Sequence, residues 1–170
     1  MQMQVNVQAR IRLFLMTTGG YSTKELLVQE NEFAFNSFTN EMAIELGQEM
    51  LKLALKQKAP VIVQVRKLEQ ILFHAALTGS SPENDWWINR KCRVVEKFNH
   101  SSLYVRVSFE EKNQSFEEHS GLDNELYAAH GGAFPIKVEQ KLVGIAAVSG
   151  LPQVEDHQML VQGLKNFLQK

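Results

Sequence analysis

The sequence predicts a single domain of the α/β (α+β) class, and three observations support this prediction. The chain has 170 residues, a length that suits one domain and buries roughly 70% of the surface that the unfolded chain exposes. Apolar residues make up 44% of the sequence and charged residues 22%, close to the average of globular proteins. Segments with helical periodicity alternate with two strand-turn-strand patterns, which indicates helices packed on antiparallel strands.

The charge balance argues against nucleic acid and membranes as partners. The 18 basic and 19 acidic residues give a net charge of -1, so no attraction to phosphate or to anionic lipid is expected. No apolar run approaches the roughly 18 residues of a membrane-spanning helix. Cys92 is the only cysteine and cannot form an internal disulfide, which fits a reducing compartment. We therefore expect a soluble, cytoplasmic protein without a metal site.

Residues 1–20 are predicted to form a weakly ordered N-terminal extension, and residues 21–170 a single domain. The apolar run from Ile11 to Met16 is interrupted by Arg12, whereas a secretory signal has an uninterrupted apolar core and a cleavage site.

Capping signals predict the first helices. Ser22 and Glu25 have capping-box spacing and open a short helix. Alternating aromatic residues at 33–35 predict a brief strand. Thr39 is the N-cap of a longer helix with one apolar face, which Pro60 ends.

The middle of the chain predicts a hairpin and a helix. β-Branched residues at 61–65 and apolar residues at 71–75 flank a polar interval. Ser81 and Pro82 then announce a helix that runs to Phe98. In residues 102–109, strict alternation of apolar residues favours a strand, although the i, i+4 spacing of two of them also fits a helix.

The C-terminal region predicts short helical pieces, a second hairpin and a final helix. The helical pieces fall within 115–129. Residues 133–138 and 143–148 flank a polar turn at 139–141. The last helix begins at Pro152 and carries one buried stripe that includes His157.

Three separated segments resemble one known family. They read NDWWINRKCRVVEKFNHSS at 84–102, HGGAFPIKV at 130–138 and VGIAAVSGLPQVEDH at 143–157. Together they are similar to an uncharacterised family within the haem-degrading-domain superfamily, related to the GlcG-like and HbpS-like proteins, over residues 25–168. The resemblance implies a profilin-like α-β-α sandwich with a five-stranded antiparallel sheet near positions 33, 62, 72, 135 and 145. It also implies a helix at 102–109, homo-oligomers, and haem as a ligand.

The ligand-binding candidates lie in these segments. His130, Gly131 and Gly132 form a turn where a ligand could approach the backbone, and a neutral imidazole can bind a metal or haem iron. Arg90 and Lys91 could bind carboxylates, although a solvated basic face that also includes Arg93 is the simpler interpretation. His157 is interpreted as a core or interface residue. Asp156, its neighbour, is explained by the helix dipole. Haem iron needs an axial ligand, and no motif selects one among His74, His100, His119, His130 and His157.

No complete catalytic constellation is present, so the catalytic residues stay unknown. The first hypothesis is a homo-oligomeric ligand-binding or scaffold protein, with interface candidates Trp86, Trp87, Phe134 and Pro135. The second is a haem-binding or haem-degrading protein. The third is an enzyme that acts on a small carboxylate through His130 and Arg90. Cys92 is predicted to be packed rather than reactive.

Overall fold

The computed structural model describes residues 17–170. The elements within this part of the chain are α1 Thr23–Glu32, α2 Asn40–Gln57, β1 Ile62–Lys67, β2 Gln70–Ala76, α3 Pro82–Phe98, α4 Ser102–Glu110, α5 Phe116–His119, β3 Ala133–Val138, β4 Lys141–Ser149 and α6 Gln153–Leu168. None of the helices in this described part has the length and apolar character needed to cross a membrane.

The extension predicted for residues 1–20 lies mostly outside the described residues. Its last four residues are described, and they contact the domain. Thr18 is fully buried, and the Gln153 side chain donates a 2.6 Å hydrogen bond to the Thr17 carbonyl. The ordered part of the chain therefore begins before residue 21, and a weakly ordered segment at 1–16 stays a prediction.

The sheet is antiparallel and has the order β2-β1-β4-β3, which confirms a mixed α+β fold. Both predicted hairpins are present. The second hairpin turns through two residues, Glu139 (φ 49) and Gln140 (φ 64). Two successive left-handed residues match the twist of the flanking strands, so Lys141 belongs to β4 rather than to the turn.

Helices cover both faces of the sheet. On one face Val63, Val65 and Val148 pack against α2 and α6 in the larger part of the core. On the other face Ile62 and Ile145 pack against α3. Because neighbouring strand residues point to opposite faces, strands buried on both sides read as nearly continuous apolar runs.

The capping residues predicted from the sequence occupy helix termini. Ser22 makes the capping box with Glu25 at the start of α1, the Thr39 hydroxyl accepts from the backbone N–H of Met42, and Pro82 begins α3. These local signals determine where three helices begin, among them α3, which packs against the sheet.

The predicted fifth strand is a single bridge. Phe35 pairs with Val138 and its N–H donates to the Lys137 carbonyl at 3.0 Å, but no ladder forms on either side. Phe33 is already the C-cap of α1 and α2 begins at Asn40. The short connection between the two helices follows the edge of β3 for one residue only, so the sheet formed by residues 17–170 has four strands.

The strand favoured by periodicity at 102–109 is wrong, and the helix implied by the family resemblance is present as α4. Leu103 and Val107 pack on Leu26 of α1, whereas Val105 packs on the opposite side against Phe116. A helix that is buried on two sides places apolar residues at every second position. This double burial gives the same alternation of apolar and polar residues that a half-buried strand has.

Candidate functional site

The α3 helix carries two buried cations, which corrects the interpretation of a solvated basic face. Arg90 and Lys91 are 8% and 2% exposed, whereas Arg93 is exposed. Ile88 and Cys92 of this helix pack against the sheet. Arg90 and Lys91 lie in the helical turn between these two residues, and both side chains are buried. Only the Arg93 side of α3 is a solvated basic face.

Lys91 forms a buried ion pair with Asp156 of α6. The Lys91 Nζ donates to Asp156 Oδ2 at 3.0 Å and to the Val148 carbonyl at 3.2 Å, while Asp156 Oδ1 accepts from the backbone N–H of Leu151 at 2.9 Å. Burial lowers the pKa of Lys91 and raises the pKa of Asp156, since a low-dielectric site disfavours both charges. The helix dipole alone therefore does not account for Asp156.

Gly131 and Gly132 bring the backbone into contact with this pair. A Cβ on Gly132, whose φ is +119°, would lie 2.4 Å from the Val148 carbonyl oxygen and 2.8 Å from Lys91 Nζ. A Cβ on Gly131 would lie 2.3 Å from the Gln153 carbonyl oxygen. Both positions need glycine because the chain passes too close to β4 and α6 for any side chain.

A small cavity of about 200 Å³ opens beside the ion pair. It is lined by residues of α3, of the connection before β3, of the end of β4 and its following loop, and of the start of α6: Asn84, Trp87, Lys91, His130, Ser149, Gly150, Leu151, Gln153 and Asp156. The structure thus brings together Lys91 and His130 from the predicted ligand-binding set, with Gly132 adjacent to Lys91. Sequence reasoning missed Asn84, Ser149 and Gln153, which have no local motif.

His130 lies in the wall of the cavity as a neutral imidazole. Its ring packs edge-on against Trp87 at 4.9 Å between centroids, and its Nε2 is 3.6 Å from Glu117 Oε1. Burial, reinforced by the positive charge of Arg106, lowers the pKa of His130 to about 4. At neutral pH the ring therefore offers one hydrogen-bond donor and one hydrogen-bond acceptor.

His157, by contrast, is a core residue outside the cavity. It is fully buried, and its Nε2 lies 2.9 Å from the Gln29 side-chain oxygen. Its Nδ1 has no hydrogen-bond partner within residues 17–170. Burial lowers its pKa to about 4, so the ring is neutral and serves packing.

Phe134 and Pro135 are wrong as interface candidates. Phe134 is 1% exposed and packs edge-on against Phe33, and Pro135 is also buried. This chain's own core already covers both side chains, which leaves them no surface for a partner.

Arg90 lies outside the cavity lining, so the structure does not bring it to His130 as the third hypothesis requires. Its guanidinium lies over the rings of Trp86 and Trp87, at 4.0 and 4.6 Å from their centroids, and donates to the Asn124 carbonyl. Trp86 is 40% exposed. The tryptophan pair thus has one member in the cavity wall and one on the surface.

Two other titratable features lie away from the cavity. Burial raises the pKa of the Cys92 thiol to about 11, which makes the thiol unreactive. Glu30 is a buried carboxylate that accepts from the backbone N–H of Ser101 and pairs with His100 Nδ1, both at 2.7 Å. Within residues 17–170, no cluster of three or more His, Cys, Asp or Glu side chains could hold a metal ion.

The fold and this cavity define a small α+β domain with a polar site between two helices and a strand end. The chain belongs to the HbpS-like family, since the family model described as haem degrading protein HbpS-like matches residues 38–165. A UPF0303 protein of Streptomyces coelicolor is 48% identical over 85% of this chain and 92% of its own length. The family assignment made from the three sequence segments is confirmed.

Solved structures support the architecture. The crystal structure of the Ybr137w protein has a TM-score of 0.81 at 30% identity and covers 95% of each chain. HbpS has a TM-score of 0.60 at 18% identity, covering 79% of this chain and 92% of its own. A PduOC–haem complex has a TM-score of 0.60 at 11% identity, covering 75% of this chain and 94% of its own. These last two share the fold alone.

Loss of the buried ion pair should destabilise the domain strongly. We expect Lys91→Met to lower the free energy of unfolding by about 3–5 kcal/mol, because Asp156 would be left buried without its cation. Urea denaturation at fixed protein concentration measures the change. The control is Lys170→Met, which removes a pair between exposed Lys170 and half-buried Glu49 and should cost about 1 kcal/mol or less. Equal effects in the two variants would contradict the role of the pair.

The buried histidines should make stability fall with acidity. The folded-state pKa of His157, about 4, lies below its ordinary value of 6.5, so the unfolded chain binds the proton more readily. The contribution of neutral His157 to the free energy of unfolding is present above about pH 6.5 and is lost as the pH falls towards 4. The free energy of unfolding should fall by about 2 kcal/mol between pH 7 and pH 5 from this residue. Urea titrations of His157→Gln should show a shallower decline, whereas exposed His119→Gln should keep the slope of the unsubstituted protein.

Proposed function

We propose that this protein is a homo-oligomeric binding protein that holds a small carboxylate-bearing ligand in the cavity beside Lys91. One observation carries the proposal: three hydrogen-bond donors around one small cavity have no protein acceptor within residues 17–170. A ligand that supplies acceptor oxygens would complete their hydrogen bonding.

The first of these donors is the third N–H of Lys91. An ammonium has three donors, and Asp156 and the Val148 carbonyl accept two of them. Since the amine is buried, water cannot surround the third N–H as it would at the surface. An acceptor in the cavity would relieve part of the cost of burying this cation.

The second and third donors are the Asn84 amide and the Ser149 hydroxyl. The Asn84 side-chain oxygen accepts from the backbone N–H of Ser81, which leaves its NH₂ group for the cavity. Ser149 is buried at the end of β4 and lines the same space. Three donors and a neutral His130 favour an oxyanion, and hydrogen bonds to a charged acceptor are the stronger class.

The cavity volume limits the size of the ligand. About 200 Å³ is less than the range of roughly 300–1,000 Å³ that holds drug-sized molecules. We therefore propose a carboxylate with few heavy atoms.

Binding should stabilise the folded protein. In a thermal-shift screen of small carboxylates, we expect at least one compound to raise the melting temperature in a saturable way, because a ligand that binds only the folded state stabilises it. Ser149→Val removes one donor to a charged group and should weaken that ligand by about ten- to a hundredfold. Ser37→Val, at an exposed site outside the cavity, is the matched control. A panel without any saturable shift would reject the proposal.

Haem is the alternative, favoured by the family and by the neutral imidazole of His130, which is the state that binds iron. Against it, the cavity of one chain is small and mostly polar, whereas haem needs an apolar pocket. In a single chain, this cavity of about 200 Å³ does not fit the macrocycle. In a titration with hemin, a saturable Soret shift that His130→Phe abolishes would support haem over the carboxylate proposal.

We further propose that the surface around Trp86 joins copies of this chain. Trp86 is 40% exposed and Leu126 45%. The segment that carries Leu126 lies against α3, because the Arg93 side chain donates to the Leu126 carbonyl at 3.2 Å. Exposed Trp86 and exposed Leu126 thus lie on α3 and on the segment packed against it, and aromatic residues are enriched in interface centres.

Light scattering coupled to size-exclusion chromatography tests this surface. We expect a particle several times the 19.4 kDa of one chain, and Trp86→Glu should shift it towards the monomer, because a buried unpaired charge opposes association. Leu168→Glu changes another exposed apolar residue at the end of α6 and should leave the particle intact. A monomer in the unsubstituted protein would overturn self-association.

A further inference from the structure

We infer that the Lys91 amine is a nucleophile, and that it forms an imine with a small aldehyde or 2-oxo acid bound in the cavity. The inference rests on the proposed function, because the carbonyl compound would occupy the same space as the carboxylate ligand. It adds a covalent step to that binding and narrows the ligand class to carbonyl compounds.

The position of Lys91 carries the inference. The side chain is 2% exposed, yet it lines the cavity, so a ligand in the cavity would lie against a largely desolvated lysine side chain. Gly132 has no side chain where a Cβ would lie 2.8 Å from Nζ. The missing Cβ keeps a side chain from crowding the amine on the backbone side.

Asp156 supplies the proton acceptor that the step needs. A lysine is nucleophilic only as the free amine, and a desolvated site favours that form. The Asp156 carboxylate lies 3.0 Å from Nζ, within reach of a direct proton transfer. Burial lowers the pKa of the lysine and raises that of the aspartate, and both changes move the shared proton towards the carboxylate.

The reaction then balances without an oxidant or a reductant. The ammonium passes one proton to Asp156, and the amine lone pair forms a C–N bond to the carbonyl carbon. The former carbonyl oxygen takes a proton from nitrogen and becomes a hydroxyl group. This hydroxyl takes the proton held by Asp156 and leaves as water, which gives a protonated imine and restores the carboxylate.

The remaining donors of the cavity suit a 2-oxo acid. Asn84 and Ser149 offer the amide N–H₂ and the hydroxyl that have no protein acceptor within residues 17–170, and these groups would bind the carboxylate while the adjacent carbonyl carbon faces Lys91. A 2-oxo acid presents both groups on neighbouring atoms, which matches a cavity of about 200 Å³.

Reductive trapping tests the inference in the unsubstituted 170-residue chain. The protein is incubated with pyruvate and sodium cyanoborohydride, and labelled lysines are located by peptide mass spectrometry. We expect Lys91 to be labelled about tenfold faster than exposed Lys58, because a desolvated amine is the better nucleophile at neutral pH. Excess lactate, which has the same carbon skeleton but a hydroxyl in place of the ketone group, should slow labelling of Lys91 and leave Lys58 unchanged.

The outcomes separate this inference from the proposed function. If Lys91 is labelled no faster than Lys58 while small carboxylates still raise the melting temperature, the nucleophile is wrong and the binding site stands. If neither labelling at Lys91 nor thermal stabilisation occurs, both are wrong. Rapid labelling of Lys91 that lactate does not slow would also overturn the inference, since the carbonyl compound would then react outside the proposed carboxylate site.

Discussion

The buried contact between Lys91 and Asp156 is the constraint on which the rest of the site depends. It joins α3 on one face of the sheet to the first turn of α6 on the other, and it includes the end of β4 through the Val148 carbonyl. Position 132 lies so close to the ion pair that it has no room for a side chain, which requires glycine there. Removal of two charges from water is unfavourable, so the fold retains a costly interaction at the place where three elements meet.

This arrangement leaves polar groups without protein partners. A structural ion pair is normally enclosed by hydrogen bonds that satisfy all of its protons. Here one N–H of the lysine, an amide and a hydroxyl lie around open space within the described part of the chain. A cavity lined by donors without protein acceptors stabilises a ligand that supplies acceptors. The proposed binding function rests on these hydrogen-bond donors without protein acceptors.

The family and the cavity have different implications. The HbpS-like family is described as haem degrading, which would indicate haem as the ligand. The cavity beside His130 and Lys91, however, has the size and polarity of a site for a much smaller molecule. Proteins with one fold often differ in the ligand that they hold, because function depends on the side chains of the site. The chemistry of the lining residues therefore determines the ligand class that we propose.

The sequence by itself determined the helices with capping residues, both hairpins, the family and the burial of His157 and Cys92. These features follow from neighbouring residues, whose spacing reports backbone conformation and a buried face directly. Only the tertiary structure decided that α4 is packed on two sides, that Phe35 makes one bridge, and that Lys91 meets Asp156. Those two residues are 65 positions apart. Contacts across such distances depend on how the layers pack, and no local spacing of residues encodes them.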